Sequence, residues 1–260
     1  MERRMSASKL GAWMQCGLKF KYRYVDRIPE QSVWVMHAGT TVHKVLEQSL
    51  NQVIRGGGIP ALDQMESWFD AAWRNGIKKT ESKRNFIGWQ DPEESLQTMK
   101  KQYRSLIGVA RRDVLHDIRP ESVEKRIAFD VPTEIGIAPF LGYIDVFQKN
   151  GVIIDWKTVT EKVSPNAQKL DIQVMTYSFW HNLIYKEEVT HFKKIFLVRG
   201  NDPHVEIKAY IVTKAKRDWF QRQTNEAWRS WDAGIFIANT SGWWCSPKFC
   251  SFYGPCQGEL

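Results

Sequence analysis

Two aspartates and a lysine interrupt otherwise apolar, strand-like runs. Asp145 closes Gly142-Tyr143-Ile144-Asp145, and Asp155 and Lys157 stand in Ile153-Ile154-Asp155-Trp156-Lys157-Thr158. Between them, Lys149-Asn150-Gly151 is a hairpin signal, because glycine takes the left-handed conformation that a tight loop needs. A three-residue loop there sets Asp145 opposite Asp155 and Tyr143 opposite Lys157. Side chains two apart in a strand share a face, so two carboxylates and an ammonium converge on one patch of sheet. Carboxylates that close repel, and burying them is costly unless a cation lies between them. Mg²⁺ or Mn²⁺ suits hard oxygen ligands with open positions, and either ion polarises a phosphodiester and lowers the pKa of a bound water. Lys157 then orients the attacking water or balances charge on the pentacovalent phosphorus. The alternative for the same residues is a surface hairpin with an Asp-Lys pair, which is worth little.

The charge balance favours a polyanionic partner. Across 260 residues, 37 Lys+Arg face 29 Asp+Glu, a formal charge of +8 with a pI near 9.3. Clustered cations gain affinity for nucleic acid by releasing counterions from phosphates. With 43% hydrophobic and 25% charged residues the composition is that of a globular chain, which excludes a disordered tail, a collagen-like fibre and a low-complexity array. No stretch approaches the apolar length of a membrane span, and Met1-Glu2-Arg3-Arg4-Met5-Ser6 lacks the apolar run of a signal peptide. The expectation is a soluble, cytoplasmic protein with no membrane partner. Without a Pro/Ser-rich linker or a fixed-period repeat, it is expected to form a single domain over 1–260. No Gly-x-Gly-x-x-Gly or P-loop pattern occurs, so nucleotide hydrolysis is not expected.

The elements that must carry these residues follow from the hydrophobic period. Ser8 is placed to cap a first helix through Leu10, Trp13 and Met14, which runs into Lys19-Phe20-Lys21-Tyr22-Arg23-Tyr24. After Gly39, Val42, Val45, Leu46, Leu50, Val53 and Ile54 make one apolar face that ends at Gly56-Gly57-Gly58, with His43 beside it. Two further helices run from Leu62 through Trp73 and from Leu96 through Val114. The period then becomes two, with strands at Val123 to Val131, Phe140 to Phe147 and Val152 to Val159. A helix after Pro165 carries Leu170, Gln173, Val174, Tyr177, His181 and Ile184. Strands at Phe192 to Val198 and Val205 to Val212 follow, then a helix through Trp219, Ala227 and Trp231. This order reads as α/β or α+β with a mixed sheet, not a doubly wound nucleotide fold.

Taken in order, the motifs resemble the PD-(D/E)xK nuclease superfamily, in particular its RecB-like branch, with the CRISPR-associated iron-sulfur exonucleases and related phage exonucleases. The matching features are Gly39-Thr40-Thr41-Val42-His43, Gly142 to Asp145, Asp155-Trp156-Lys157, and Gln173 to Tyr177. Ser8-Lys9-Leu10 and Cys16-Gly17-Leu18-Lys19-Phe20 are similar to the branch's N-terminus, with Gly17 where proline is usual. The resemblance spans about Ser6 to Cys256 and is sparse between Arg55 and Glu121. It implies a restriction-endonuclease-like α/β core: a central mixed β-sheet flanked by helices, a helical N-terminal region and a cysteine-rich C-terminal tail. A helical insertion would occupy about 56–118 and the tail about 239–260.

The resemblance also implies roles. His43, Asp145, Asp155 and the backbone carbonyl of Trp156 would hold the metal, with Lys157 as the catalytic lysine. Gln173 and Tyr177, one helical turn apart, would orient the substrate strand or that lysine. A further acid often joins from the preceding strand, and Glu124 fits by position, with Glu121 as its rival. On the residues alone, His43 is equally a hydrogen-bonded structural histidine, and Asp171 meets no chemical need. The implied activity is metal-dependent exonucleolytic cleavage of single-stranded DNA or duplex ends in recombination, repair or phage DNA processing, beside a recombinase. Trimming of spacer precursors beside an integrase is an alternative, and a non-catalytic DNA-binding module is a third.

Four cysteines complete the inventory: Cys16 alone, and Cys245, Cys250 and Cys256 together. In an intracellular protein this is not a disulfide framework. Three thiolates interleaved with Pro247, Gly254 and Pro255 form a loop able to wrap a soft metal, which Cys16 completes from afar. The resemblance implies a [4Fe-4S] cluster at these four residues, with zinc as the alternative. The usual C-terminal spacing is Cys-x2-Cys-x5-Cys, and here the first gap is four residues and the second five. Such a centre would staple the chain ends together, with Trp243 and Trp244 as its shield. Lys19, Lys21, Tyr22 and Arg23, with Tyr24 and Arg27, are the candidate DNA contacts, or else a solvated face.

Overall fold

Ser6 starts the first helix. Its backbone is extended and its hydroxyl accepts the Lys9 N–H at 3.2 Å, which satisfies a first-turn donor. Helix α1 therefore covers Ala7–Gln15, and Ser8, the residue expected at the cap, is its second residue. The computed structural model describes residues 3–30, 32–82, 87–88, 96–160, 171–186 and 192–258. A short α2 (Gly17–Phe20) continues into a π-helical turn, Lys21–Val25. Gly17 is required there, because a Cβ would stand 2.8 Å from the backbone of Ile237 as the C-terminal segment crosses.

A two-residue strand β1 (Ser32–Val33) pairs in parallel with β2 (Ile87–Gly88). Between them lie α3 (Trp34–Ile54) and α4 (Leu62–Ser82), and α5 (Leu96–Asp113) follows. Helix α3 starts five residues before Gly39, so that glycine is internal rather than a boundary. The reason is close approach: a Cβ on Gly39 would meet the Thr158 hydroxyl at 3.0 Å. The glycine thus lets α3 lie against the strand that carries Asp155 and Lys157.

The main sheet has five strands in the order β3 (Pro120–Thr133), β4 (Gly136–Gln148), β5 (Ile153–Val159), β6 (Phe192–Val198) and β7 (His204–Tyr210). Pairing is antiparallel except between β5 and β6, so the sheet is mixed. The parallel pair is bridged by α6 (Ile172–Tyr185), and α7 (Lys214–Asp232) and α8 (Tyr253–Gly258) close the chain. The start expected for α6, from Pro165 through Leu170, lies outside the described residues; the helix itself is capped by Asp171. Among the described residues no helix is long and apolar enough to cross a membrane.

Each face of the sheet has its own core. Val146, Ile154, Trp156, Ile195 and Leu197 pack with α3, α4 and α5, while Ile144, Phe147, Ile153, Phe192 and Tyr210 pack with α1, α6 and α7. Full burial of such side chains stabilises by roughly 1.5–3 kcal/mol each. Ile144 and Val146 are two apart and nominally on one face, yet they serve different cores. The residue between them is Asp145. Across the β3–β4 register it faces Glu124, whose φ is +48° and which drops out of the pairing.

Candidate active site

The expected hairpin is present at its loop end. Gly151 has φ +78°, and Val146 pairs with Ile154 and Phe147 with Ile153. The ladder then stops, and this corrects the expectation that Asp145 and Asp155 are ladder partners. Beyond Val146 the strands part, and β5 continues pairing with β6 alone through Val159. The freed Trp156 N–H donates to Asp145 Oδ2 at 2.8 Å. Farther along the edge that β5 leaves, β4 pairs with Met5, whose N–H donates to the Pro139 carbonyl at 2.7 Å.

His43 enters this gap from α3. Its Nδ1 is 3.7 Å from Asp145 Oδ2, and its ring bonds to the Trp156 backbone. That bond favours the protonated ring, so the acceptor is the Trp156 carbonyl. Burial and the Lys157 charge nevertheless hold the imidazole down at about 4, so it is neutral at physiological pH. His43, Asp145 and the Trp156 carbonyl thus converge where the strands separate.

Asp155 lies on the opposite face of β5 and is 1% exposed. Its Oδ1 accepts from Lys157 Nζ at 3.0 Å and from Gln173 Nε2 at 2.6 Å. Gln173 also reaches the Tyr177 hydroxyl at 3.3 Å, and that hydroxyl donates to the Tyr143 carbonyl at 2.6 Å. The helical pair Gln173 and Tyr177 therefore links both aspartate strands. Burial, and then the Asp145 charge, raise the Asp155 carboxyl to about 6 against the pull of Lys157 and Lys194. Burial also raises Asp145, opposed by the Trp156 N–H and by both lysines. Glu124 is raised to about 7 by desolvation, then by Asp145 and Glu47, although solvent reaches it. Glu121, its rival, lies at an exposed position 3.8 Å from Lys125.

Of two further residues of this site, the sequence reading set Asp171 aside and passed over Lys194. Asp171 caps α6, accepting the N–H groups of Gln173 and Val174 at 3.1 Å each, and pairs with Lys194 at 2.5 Å. The cap position of Asp171 just before the Gln-Tyr helix was the available signal. Lys194, the second of two adjacent lysines in an otherwise apolar strand, gave none, because its partners are distant in sequence.

Among the described residues no three His, Cys, Asp or Glu side chains stand ready as a metal cage. The donor set still fits a divalent ion. Asp145 and Asp155 are both held above their ordinary pKa by burial, the condition an added cation relieves, and His43 Nδ1 stands 3.7 Å from Asp145 Oδ2.

At the other end, Cys16, Cys245, Cys250 and Cys256 line one cavity of about 20 Å³, together with Lys19, Tyr22, Trp244 and Phe252. The Asn239 N–H donates to Cys16 Sγ at 3.4 Å. Burial, and then the other three sulfurs, push the Cys256 thiol up. Four soft donors thus line a single space, without being drawn together as a metal cage. Trp244 lines the cavity as expected, but Trp243 is 71% exposed and stacks edge-on against Phe249, so it is no shield. The basic segment beside the cavity is engaged locally: Lys19 with Gln15, Lys21 with Asp26, Arg23 with Glu30 and Tyr22 with Phe252.

The sequence profile of the PD-(D/E)XK nuclease superfamily matches residues 4–257. The chain belongs to that superfamily. Its fold is the mixed sheet with flanking helices described above. Among solved structures, the "Putative exonuclease" of Eubacterium rectale aligns with TM-score 0.55 at 11% identity, covering 94% of this chain and 87% of that one. At that identity the likeness concerns the fold. A protein named SSO0001 aligns with TM-score 0.42 at 11% identity over 100% of this chain and 88% of that one. No curated protein matches by sequence.

Proposed function

We propose that this superfamily member is a metal-dependent DNA exonuclease acting on single strands or duplex ends. The observation that supports the reading is the parting of β4 from β5, which leaves Asp145, the Trp156 carbonyl and His43 around one gap, with Asp155 on the other face of β5 close enough for its charge to act on both Asp145 and His43. His43, Asp145, Asp155 and the Trp156 carbonyl would hold Mg²⁺ or Mn²⁺, with Glu124 close enough to Asp145 to raise its own pKa. A bound divalent ion would supply Lewis-acid polarisation of the phosphodiester and a water activated near neutral pH.

The chain's own groups do the rest. Of the two lysines beside Asp155, Lys157 has the solvent access, and it orients the attacking water and offsets charge on phosphorus. Gln173 fixes Asp155 through its amide, and Tyr177 anchors α6 to the Tyr143 carbonyl. The excess of +8 draws the polyanion in.

The cysteine site is proposed as a stabilising metal centre, [4Fe-4S] or zinc. Its support is the shared cavity, which joins the first turns of the chain to its last ones.

The test is cleavage of end-labelled single- and double-stranded DNA with Mn²⁺, Mg²⁺ or EDTA, by anaerobically purified wild type and Asp155→Ala. Metal-dependent loss of label in the wild type alone is the expected result. A folded wild type that cleaves nothing would leave a DNA-binding module.

A further inference from the structure

The parallel pairing of β5 with β6 sets Lys194 beside Asp155. Lys194 is 5% exposed, and an ammonium at that depth loses its hydration unless carboxylates replace it. Two do so: its Nζ lies 2.5 Å from Asp171 Oδ2 and 3.9 Å from Asp155 Oδ2. The other oxygen of Asp171 caps α6, two residues before Gln173, whose amide returns to Asp155 at 2.6 Å. The contacts form a closed circuit from Asp155 to Lys194, Asp171, Gln173 and back.

We infer that Lys194 is a positioning residue of the active site: anchored by Asp171, it fixes Gln173 against Asp155 and keeps a permanent charge behind that carboxylate, leaving Lys157 free to turn to the substrate phosphate. The inference rests on the nuclease reading above. Both ammonium groups approach Asp155 Oδ2, Lys157 at 2.8 Å and Lys194 at 3.9 Å. The Lys157 side chain is 35% exposed and that of Lys194 6%, so one is able to leave and the other is not. If Lys157 were alone, its departure toward substrate would strip a buried carboxylate of its counter-charge.

The charge count gives a signature that a merely structural lysine lacks. With the three carboxylates ionised, as metal binding requires, Asp145, Asp155 and Asp171 set three negative charges against the two positive ones of Lys157 and Lys194, a net of −1. Lys194→Met takes that to −2 and should tighten Mn²⁺ binding while slowing turnover. Lys194→Met/Asp171→Asn restores −1 and should restore the Mn²⁺ affinity without restoring turnover.

The experiment is calorimetric titration of Mn²⁺ into metal-free wild type, Lys194→Met, the double variant and Lys194→Arg, with single-turnover cleavage of a labelled oligonucleotide at saturating Mn²⁺. Lys194→Met should bind Mn²⁺ about 10-fold more tightly, the scale of one charge a few ångströms away at high effective dielectric. It should cleave about 100-fold more slowly, and adding Gln173→Ala should cost little more, since both changes break one circuit. Lys194→Arg should recover part of the rate. If Lys194→Met fails to fold, the double variant, which buries no lone charge, carries the test through its loss of turnover at wild-type Mn²⁺ affinity. Weaker or unchanged Mn²⁺ binding in Lys194→Met, or a rate within two-fold of wild type in either variant, overturns the assignment. A wild type that binds Mn²⁺ and cleaves DNA while the variants match it sinks Lys194 alone, whereas a wild type that does neither sinks the nuclease reading as well.

Discussion

The Trp156 N–H donates to Asp145 Oδ2 at 2.8 Å, so a side-chain carboxylate stands where the neighbouring strand would otherwise supply a carbonyl. The same residue's carbonyl takes the His43 ring. One residue of β5 thus holds two candidate ligands, and the gap that seats them exists only because β4 leaves the ladder after Val146.

Asp155→Ala and Lys157→Ala should each lower single-turnover cleavage at least about 100-fold, the usual scale for a positioned proton-transfer or charge-stabilising group. DNA affinity, measured by fluorescence anisotropy with Ca²⁺ or EDTA, should stay near wild type, because the phosphate-binding charge is spread over the surface. A fully active Lys157→Ala protein would sink the mechanism.

Tyr177→Phe removes the donor to the Tyr143 carbonyl and the neighbour of the Gln173 amide. Leaving these groups unsatisfied should destabilise the fold by about 1–3 kcal/mol, read as a lower urea midpoint at unchanged slope. Turnover should fall as well, because α6 loses its anchor to β4.

Metal binding should be pH-dependent, and the sign follows from Asp155. Its carboxyl is raised from 3.8 to about 6, so its contribution to stability is fully present below about 3.8 and is lost as pH rises through about 6. Over the same window the carboxylate becomes available to a cation. Mn²⁺ should therefore raise the melting temperature little near pH 5 and fully near pH 7.5. An Mn²⁺ shift larger at the lower pH would contradict the assignment of Asp155 as a ligand.

The cysteine cavity predicts bound metal in anaerobically purified protein. Plasma emission analysis should find iron with sulfide, or zinc, and Cys16→Ser should lose it even though the other three cysteines remain, because Cys16 lines the same cavity. Chelation should lower the melting temperature, as the centre ties α1 to the tail. Metal-free protein with unchanged stability would leave the four thiols as simple packing.

Gly39→Leu should push α3 off β5, since even a Cβ would sit 3.0 Å from Thr158 Oγ1. His43 should then lose its bond to Trp156. The measurable result is weaker Mn²⁺ binding at nearly unchanged helix content by circular dichroism.

Much of this was legible in the amino-acid order, because local rules governed it. Alternation located β3 to β7, helical periodicity located α4 and α5, and the Lys149-Asn150-Gly151 loop set the register of Val146 with Ile154. The ordered motifs pointed to His43, Asp145, Asp155, Lys157, Gln173 and Tyr177, and the structure brings these residues to one site on two faces of β5. What the order of residues left open depended on contacts between distant segments. Gly39 read as a helix boundary because its true partner, Thr158, is far along the chain. Ser6, not Ser8, caps α1, since either serine has the right chemistry and the backbone decides. Trp243 faces solvent although its sequence neighbour Trp244 lines the cysteine cavity. Lys194 and Asp171 acquire their purpose only when β6 is laid parallel to β5 and α6 is folded over the sheet. Residue type and spacing determined which groups could do chemistry here. The tertiary structure decided where two strands part and which charges are buried together, because long-range packing and desolvation are properties of the assembled sheet and not of any one segment.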